Sequence, residues 1–254
     1  MRNGAGENIC PWMANGLEAD MEKHCAEGQL QDAVIPENNG LAEVKNDLGL
    51  IQNFVNSIEE KDLYTQGHSH HVHVIANTVF DSLPAQYKEK INRETLSKAA
   101  LLHDVGKVFT PDHILNKEGK LDANEWDIMR QHPANGKVLL DNAGCAEIGD
   151  WILYHHERMD GRGYYGLQGA HIPLESRIIA VADTFSALRT YRIYRPAKSL
   201  EETLRLMRAS AGTQLDADLV ACFLSVDAES IAALECHCEI CRQRRNALEA
   251  MLSG

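Results

Sequence analysis

The chain has 254 residues, of which 44% are hydrophobic and 24% are charged, as in ordinary folded proteins. This composition excludes a disordered chain, a collagen and a coiled-coil rod, and no apolar run approaches the roughly 18 residues of a membrane span. The 25 basic and 37 acidic side chains give a net charge of −12. We therefore expect no DNA binding and no membrane insertion. The first residues lack the apolar core of a signal peptide, so we expect a cytoplasmic protein.

The first helical pattern begins at residue 41. Residues 1–40 carry little pattern and are predicted to form an N-terminal extension. The next apolar residues recur every three or four positions, which predicts an amphipathic helix: Leu41, Val44, Leu48, Ile51, Phe54 and Ile58. Further helices are predicted at about 68–83, ending before Pro84, and at about 95–104.

The second half of the chain also has a helical pattern. Asp122 and Glu125 have the spacing of a capping box, which predicts a helix that reaches His132 and kinks or ends at Pro133. Other helices are predicted at about 146–156 and 175–188, after a cap at Ser199, from about 216, and from about 228 to the end. No convincing strand pair is present, so the predicted fold class is an all-α helical bundle. We assign the main domain to 41–226 and a C-terminal helix with a Cys-rich segment to 227–254.

Histidine is the unusual residue type, with 12 copies. His103 and Asp104 are adjacent near a predicted helix end, and Lys107 returns to the same face. Taken alone, this group is equally compatible with a solvated helix end. However, other segments supply further imidazoles and a carboxylate: His68, His132, His155, His156 and Asp183. Five His and two Asp suit two first-row metals such as Fe or Mn, and a metal would offset the cost of burying Asp183 in an apolar run.

The string His103-Asp104-Val105-Gly106-Lys107 resembles the signature of the HD phosphohydrolases. Further motifs at 129–136, 155–164, 172–178 and 182–183 resemble the HD-GYP subfamily in order and spacing, over about residues 41–226. The resemblance implies an HD-type all-α bundle around a site for two or three metals. It also implies hydrolysis of cyclic di-GMP to the linear dinucleotide pGpG, and often onward to GMP.

The resemblance assigns roles to individual residues. The implied metal ligands are His68, His103, Asp104, His132, His155, His156 and Asp183, with Asp104 bridging the metals. A hydroxide that bridges the metals would attack the phosphorus, and Lys107 would contact the scissile phosphate or help to protonate the leaving oxygen. Asp104 and Lys107 are thus the expected catalytic residues. Tyr64 occupies the position where some members have a Glu for a third metal, which favours two metals.

The expected substrate contacts lie around this site. Segment 177–208 has seven basic and three acidic residues. Within it, Arg192 and Arg195 resemble a family element that grips the ligand phosphates, while the other basic side chains are interpreted as surface residues. Lys107, Tyr164 and Ser186 complete the set of expected substrate-binding residues.

Three departures from the family pattern leave alternatives open. Tyr165 stands where the Gly-Tyr-Pro motif has Pro, and the loop is one residue shorter, which affects site shape and docking of GGDEF diguanylate cyclases. Ser186 replaces an Asp that often reads guanine, so the ligand is either cyclic di-GMP or a related cyclic dinucleotide. His71 replaces an Arg, and it either approaches the metals or is an ordinary solvated or core histidine.

We therefore keep two alternatives to the phosphodiesterase. The first is a catalytically degenerate cyclic dinucleotide sensor or GGDEF-docking module, and the second is a di-iron redox or oxygen-responsive protein. A homodimer is a further candidate assembly. In the tail, Cys236, Cys238 and Cys241 either bind Zn together with His237 or remain reduced thiols.

Overall fold

The computed structural model describes residues 48–62, 67–190 and 197–234. Over these ranges the chain forms α-helices, two short 3-10 helices and one isolated bridge between Ala211 and Leu215, which confirms the all-α prediction. The α-helices are α1 Leu48–Lys61, α2 His68–Ser82, α3 Ala85–Lys88, α4 Arg93–Leu102, α5 Asp112–Leu115, α6 Ala123–Met129, α7 His132–Asn142, α8 Ala146–Leu153, α9 Leu174–Arg189, α10 Leu200–Ser210, α11 Ala217–Leu224 and α12 Ala228–Ala233. Among the described residues, none of these helices is both long and apolar enough to cross a membrane.

Helix α9 lies at the centre of the bundle. Eleven of its 16 residues are buried, from Ser176 to Leu188. Phe185 is fully buried and meets Phe223 of α11 edge to face, with ring centroids 5.2 Å apart, a geometry that aromatic pairs favour. Because α9 is covered on almost all sides, its polar side chains Asp183 and Ser186 lie inside the protein.

Helix α2 packs along α9 through a regular apolar stripe. Val72, Ile75, Ala76 and Val79 are completely buried, at the three- and four-residue spacing of one helix face. The same spacing places His68 and His71 one turn apart on α2 and Asp183 and Ser186 one turn apart on α9. At one end of the apolar stripe, the two histidines of α2 therefore face the two polar residues of α9.

The turn after α4 approaches α7 very closely. The 3-10 helix Val105–Phe109 follows His103 and Asp104. A Cβ atom on Gly106 would lie 1.9 Å from the carbonyl oxygen of His132 and 2.4 Å from the amide nitrogen of Gly136. Only glycine permits this approach, which brings His132 next to Asp104.

Pro133 has a different role from the one expected. The capping box at Asp122 and Glu125 is present, but the helix that it opens ends at Met129. His132 then begins α7, with Pro133 in its first turn. Proline is well tolerated there because its missing N–H would have no helical acceptor, so Pro133 starts a helix instead of ending one.

Other predicted boundaries hold within a few residues. Helix α2 ends before Pro84, and Ser199 and Asp216 cap α10 and α11 through their side chains. Helices α4 and α8 end two and three residues earlier than expected, at Leu102 and Leu153. Helix α12 ends at Ala233, so the expected helix from 228 to the terminus does not continue through Leu234. The extension 1–40, Tyr64, Arg192, Arg195 and the tail cysteines lie outside the described residues.

The Gly106 contact gives a stability prediction. We expect Gly106→Ala to lower the free energy of unfolding by about 3 kcal/mol, because the added methyl group meets backbone atoms that cannot rotate away. Gly144→Ala is the control. The φ angle of Gly144 is 74°, which is strained for any residue with a side chain, but a Cβ atom there would meet nothing within 4 Å. That variant should lose about 1 kcal/mol. Urea denaturation measures both values, and equal losses would contradict the account.

Candidate metal centre

All seven predicted ligands lie within the described residues, and six of them form two adjoining groups. Asp104, His132, His155 and His156 offer one set of ligand atoms, and His68, His103 and Asp104 offer another. In each set the ligand atoms lie within 4.8 Å of one another. The seventh residue, Asp183, lies 3.1 Å from His68, measured from Oδ1 to Nε2. The fold thus gathers side chains that the sequence spreads over more than 100 positions.

Three of the imidazoles are held by backbone carbonyls at helix ends. The Nδ1 atoms of His103, His132 and His155 lie 2.8, 2.8 and 2.5 Å from the carbonyl oxygens of Ala100, Met129 and Ile152. Each carbonyl belongs to the last turn of a helix, where the usual helical partner four residues later is missing, although the Ile152 carbonyl also accepts the His155 amide at 3.4 Å. A carbonyl only accepts hydrogen bonds, so Nδ1 carries the proton and the lone pair lies on Nε2.

The Nε2 atoms of the same three histidines have no hydrogen-bond partner although they are buried. They point towards Asp104, with Nε2–carboxylate distances of 3.3, 3.2 and 3.9 Å. A buried polar atom without a partner normally costs about 1–3 kcal/mol. With metal–nitrogen bonds of about 2.1 Å, neighbouring ligands of one ion lie about 3 Å apart. The three orphaned atoms therefore fit metal coordination.

Asp104 has a separate environment for each of its carboxylate oxygens. Oδ1 faces His132 and His155, whereas Oδ2 lies 3.3 Å from His103 Nε2 and 2.8 Å from Lys107 Nζ. Burial alone would raise the pKa of Asp104, but Lys107, His103 and His132 hold that pKa well below its usual value. The side chain is thus an ionised carboxylate shared by both ligand groups.

The electrostatics keep most of the imidazoles neutral, as metal binding requires. Burial, together with neighbouring His103 and His132, lowers the pKa of His155 to about 3. Burial also lowers the pKa of His68 and of His156. For His103, burial is outweighed by Asp104, which raises the pKa. Asp183 remains ionised because its close contact with His68, together with the nearby His103 and His156, outweighs burial and lowers its pKa.

Lys107 lies at the edge of the cluster between two carboxylates. Its Nζ is 2.8 Å from Asp104 Oδ2 and 3.4 Å from Oδ2 of Asp62, a buried residue just after α1. The ammonium is therefore fixed beside Asp104. Asp62 was not predicted, since it lies in no metal-ligand motif and only the tertiary fold brings it here.

Tyr164 packs directly beside the cluster. Its ring centroid is 4.8 Å from that of His156, and the guanidinium of Arg130 lies 4.8 Å from its centre. The loop that carries it is shaped by Glu157, whose buried carboxylate accepts the Tyr165 amide, and by Gly163, where a Cβ would meet the Glu157 backbone at 2.5 Å. Neither Arg130 nor Glu157 was predicted from the sequence to shape this site.

Ser186 has a different place from the one expected for a substrate-binding residue. It is completely buried, and its hydroxyl lies 2.8 Å from His68 Nδ1 and 2.9 Å from His71 Nδ1. A hydroxyl engaged by two imidazoles inside the bundle does not reach a ligand base. His71 is likewise a buried core histidine.

Several of the other basic side chains in segment 177–208 contact groups of the protein itself. Arg205 lies on the surface as interpreted, whereas Arg177 and Arg189 are partly buried. Arg177 pairs with Asp216, the cap of α11, at 2.5 Å. Arg189 donates to the carbonyl of Lys198, and Arg205 pairs with Glu202 on the surface of α10. Their side chains stabilise loops and helix ends.

Comparison with known proteins identifies a family. A family model described as the HD domain matches residues 58–219. The chain is 38% identical over 155 residues to 3′3′-cGAMP-specific phosphodiesterase 1 of Vibrio cholerae, covering 60% of this chain and 35% of that protein. It is 38% identical to the cyclic di-GMP phosphodiesterase response regulator RpfG of Xanthomonas campestris, over 63% of this chain and 43% of that protein.

A longer match covers most of the chain. It is 32% identical over 240 residues to a probable cyclic di-GMP phosphodiesterase of Vibrio cholerae, covering 88% of this chain and 51% of that protein. The chain thus spans between about a third and a half of the length of these relatives.

The buried histidines predict an acid-sensitive metal-free protein. Three imidazoles have a lowered pKa and one has a raised pKa, so below pH 6.5 the unfolded chain takes up more protons than the folded one. These histidines therefore contribute fully to the free energy of unfolding above pH 6.5, and their contribution is lost as the pH falls. We expect a loss of about 2 kcal/mol between pH 7 and 5.

Urea denaturation with a chelator at pH 7, 6 and 5 measures this loss. His155→Asn should show a shallower pH dependence, because it removes the group whose pKa falls to about 3. A free energy of unfolding that stays constant or rises towards pH 5 would contradict the predicted acid sensitivity.

Proposed function

Because the chain belongs to the HD domain family, we propose that it is a metal-dependent phosphodiesterase that hydrolyses a cyclic dinucleotide. Cyclic di-GMP is the first candidate substrate, with pGpG and/or GMP as products. The observation that supports the proposal is the convergence of three orphaned, buried Nε2 atoms on the ionised carboxylate of Asp104. Oriented, neutral imidazoles around a shared carboxylate are the donor set of a two-metal site.

The proposed ligands divide between two ions. His132, His155 and His156 would hold one ion and His68, His103 and Asp183 the other, with Asp104 shared. Nitrogen and carboxylate donors without thiolate suit Fe or Mn. When bound, such a pair of cations lowers the pKa of water and neutralises charge on phosphoryl oxygens.

Lys107 is the proposed cationic partner of the reacting phosphate. Its ammonium is held 2.8 Å from Asp104 and is only partly buried, with 16% of the side chain exposed. A fixed cation at this edge can stabilise charge on a phosphoryl oxygen and donate a proton to the leaving oxygen. Asp62, on the other side of Nζ, restricts where the ammonium lies.

The substrate contacts are proposed around the same edge. Tyr164 and Arg130 form a stacked pair beside His156, which can receive a base or a phosphate. Arg192 and Arg195, which lie outside the described residues, are proposed to bind the ligand phosphates. Ser186 is buried against the imidazoles of His68 and His71, so we propose that other residues distinguish guanine from adenine.

The relatives' names cover both cyclic di-GMP and 3′3′-cGAMP, and the assay therefore includes both. GGDEF diguanylate cyclases as partners, a homodimer and a cytoplasmic location stay predictions.

Activity is tested on protein purified without oxygen and loaded separately with Fe(II) or Mn(II). Linear dinucleotide and mononucleotide products from each cyclic dinucleotide are followed by chromatography. We expect turnover that falls at least about 1,000-fold in Asp104→Ala, which removes the shared carboxylate, and about 100-fold in Lys107→Ala. Lys137→Ala is the matched control because its ammonium pairs with Asp141 and Asp150 instead.

Two results would overturn the proposed activity. Tight binding of a cyclic dinucleotide without product, while metal is bound, would favour the sensor alternative. A visible absorption band that bleaches on reduction, without hydrolysis under either metal, would favour the redox alternative.

Metal binding gives an independent prediction. Titration with Mn(II), followed by the electron paramagnetic resonance signal of the free ion, should give two ions per chain. Asp104→Ala should weaken both ions because both ligand groups contain this residue, whereas His156→Ala should weaken one. A single ion in the unmodified protein, or equal effects of the two variants on both ions, would argue against a shared carboxylate.

A further inference from the structure

His68 differs from the other anchored histidines in what holds its Nδ1 atom. His103, His132 and His155 each use a carbonyl three residues earlier in the chain. His68 is the first residue of α2. Its Nδ1 instead lies 2.8 Å from the hydroxyl of Ser186 on α9.

The hydroxyl of Ser186 is part of a chain of hydrogen bonds. Ser186 Oγ lies 2.9 Å from Nδ1 of His71, and Nε2 of His71 lies 3.2 Å from the carbonyl oxygen of Leu234, just after α12. Ser186 is completely buried, and His68 and His71 are 3% and 6% exposed. The chain therefore runs through the protein interior from the end of α12 to His68.

In the arrangement that we infer, the His71 ring carries one proton, and the carbonyl at one end then sets the direction of each hydrogen bond. Leu234 can only accept, so His71 Nε2 donates and His71 Nδ1 accepts. The single proton of Ser186 goes to His71, and the Ser186 oxygen accepts from His68 Nδ1. The lone pair of His68 is consequently on Nε2, on the side of Asp183 and the cluster.

We propose that Ser186 and His71 are positioning residues that hold His68 in its metal-binding tautomer and orientation. They replace, by contacts between two helices, the carbonyl that the other three histidines find in their own segment. Without them, the carboxylate of Asp183, 3.1 Å from Nε2, is the strongest remaining acceptor, and the proton moves to the atom that must bind the metal. The inference rests on the proposed function only in taking His68 as a ligand.

The test compares metal affinity in variants of the full chain, with Mn(II) as the probe. We expect Ser186→Ala to weaken one of the two Mn(II) ions about 10-fold or more, the usual effect of removing a residue that orients a ligand. Ser176→Ala is the matched control. Ser176 is also completely buried on α9, and its hydroxyl donates to the Trp151 carbonyl at 2.6 Å. It should lose similar stability without a change in either affinity.

A pair of substitutions at His71 separates positioning from packing. His71→Leu removes both hydrogen-bonding atoms and should weaken the same ion as Ser186→Ala. His71→Asn keeps an acceptor near the position of Nδ1 and should retain most of the affinity. This pair decides the question if Ser186→Ala does not melt cooperatively.

The tautomer itself gives a readout that a packing defect would not change. Nitrogen-15 NMR of the metal-free protein should show the Nδ1-protonated form of His68, with the proton moved to Nε2 in Ser186→Ala. Equal Mn(II) affinities for Ser186→Ala and Ser176→Ala, or for the two His71 variants, would overturn the proposal. So would an unchanged tautomer.

These outcomes are distinct from a failure of the proposed function. If the unmodified protein binds two Mn(II) ions but hydrolyses no cyclic dinucleotide, the proposed activity fails, and the affinities still decide the positioning role. If the unmodified protein binds neither Mn(II) nor Fe(II), both proposals fail.

Discussion

The buried carboxylate of Asp104 is the constraint on which the rest of the site depends. An ionised carboxylate inside a helical bundle is costly unless charges and hydrogen-bond donors surround it. Here Lys107 lies against one oxygen, and imidazoles from α7 and the segment after α8 face the other. The close approach at Gly106 brings His132 next to this carboxylate. The bundle is thus built around a charge that its own side chains only partly compensate, and cations would complete the compensation.

Helix ends are the second feature that shapes the site, because they orient its histidines. The carbonyl groups in the last turn of an α-helix have no helical partner, and three such groups bind the Nδ1 atoms of cluster histidines. Each contact satisfies a carbonyl and orients a ring at the same time. This explains why α4 and α8 end just before their histidines and why α6 ends three residues before His132. Ending these helices at the cluster leaves carbonyls available to hold its ligands.

Two departures from the family pattern prove to be neighbours. His71 and Ser186 are 115 residues apart in the chain, yet they share a hydrogen bond inside the bundle. Considered separately, each looked like the loss of a charged contact. Considered together, they form a hydrogen-bonded chain behind His68, at a position where Ser186 is fully buried. An isolated charge there would need a partner, whereas a hydroxyl between two imidazoles needs none.

The sequence by itself determined the helical class, the family and the set of candidate ligands, because helical periodicity, caps and the His-Asp motif are local patterns. It also indicated the capping box at Asp122, which depends on residues three positions apart. Only the tertiary structure decided that Pro133 begins a helix, that Asp62 contacts Lys107, that Arg130 stacks on Tyr164 and that Ser186 contacts His68. Each of these depends on how segments distant in the chain, or a helix and its neighbouring loop, pack together. Local spacing carries no information about such contacts, because they arise only when the buried faces of different helices meet.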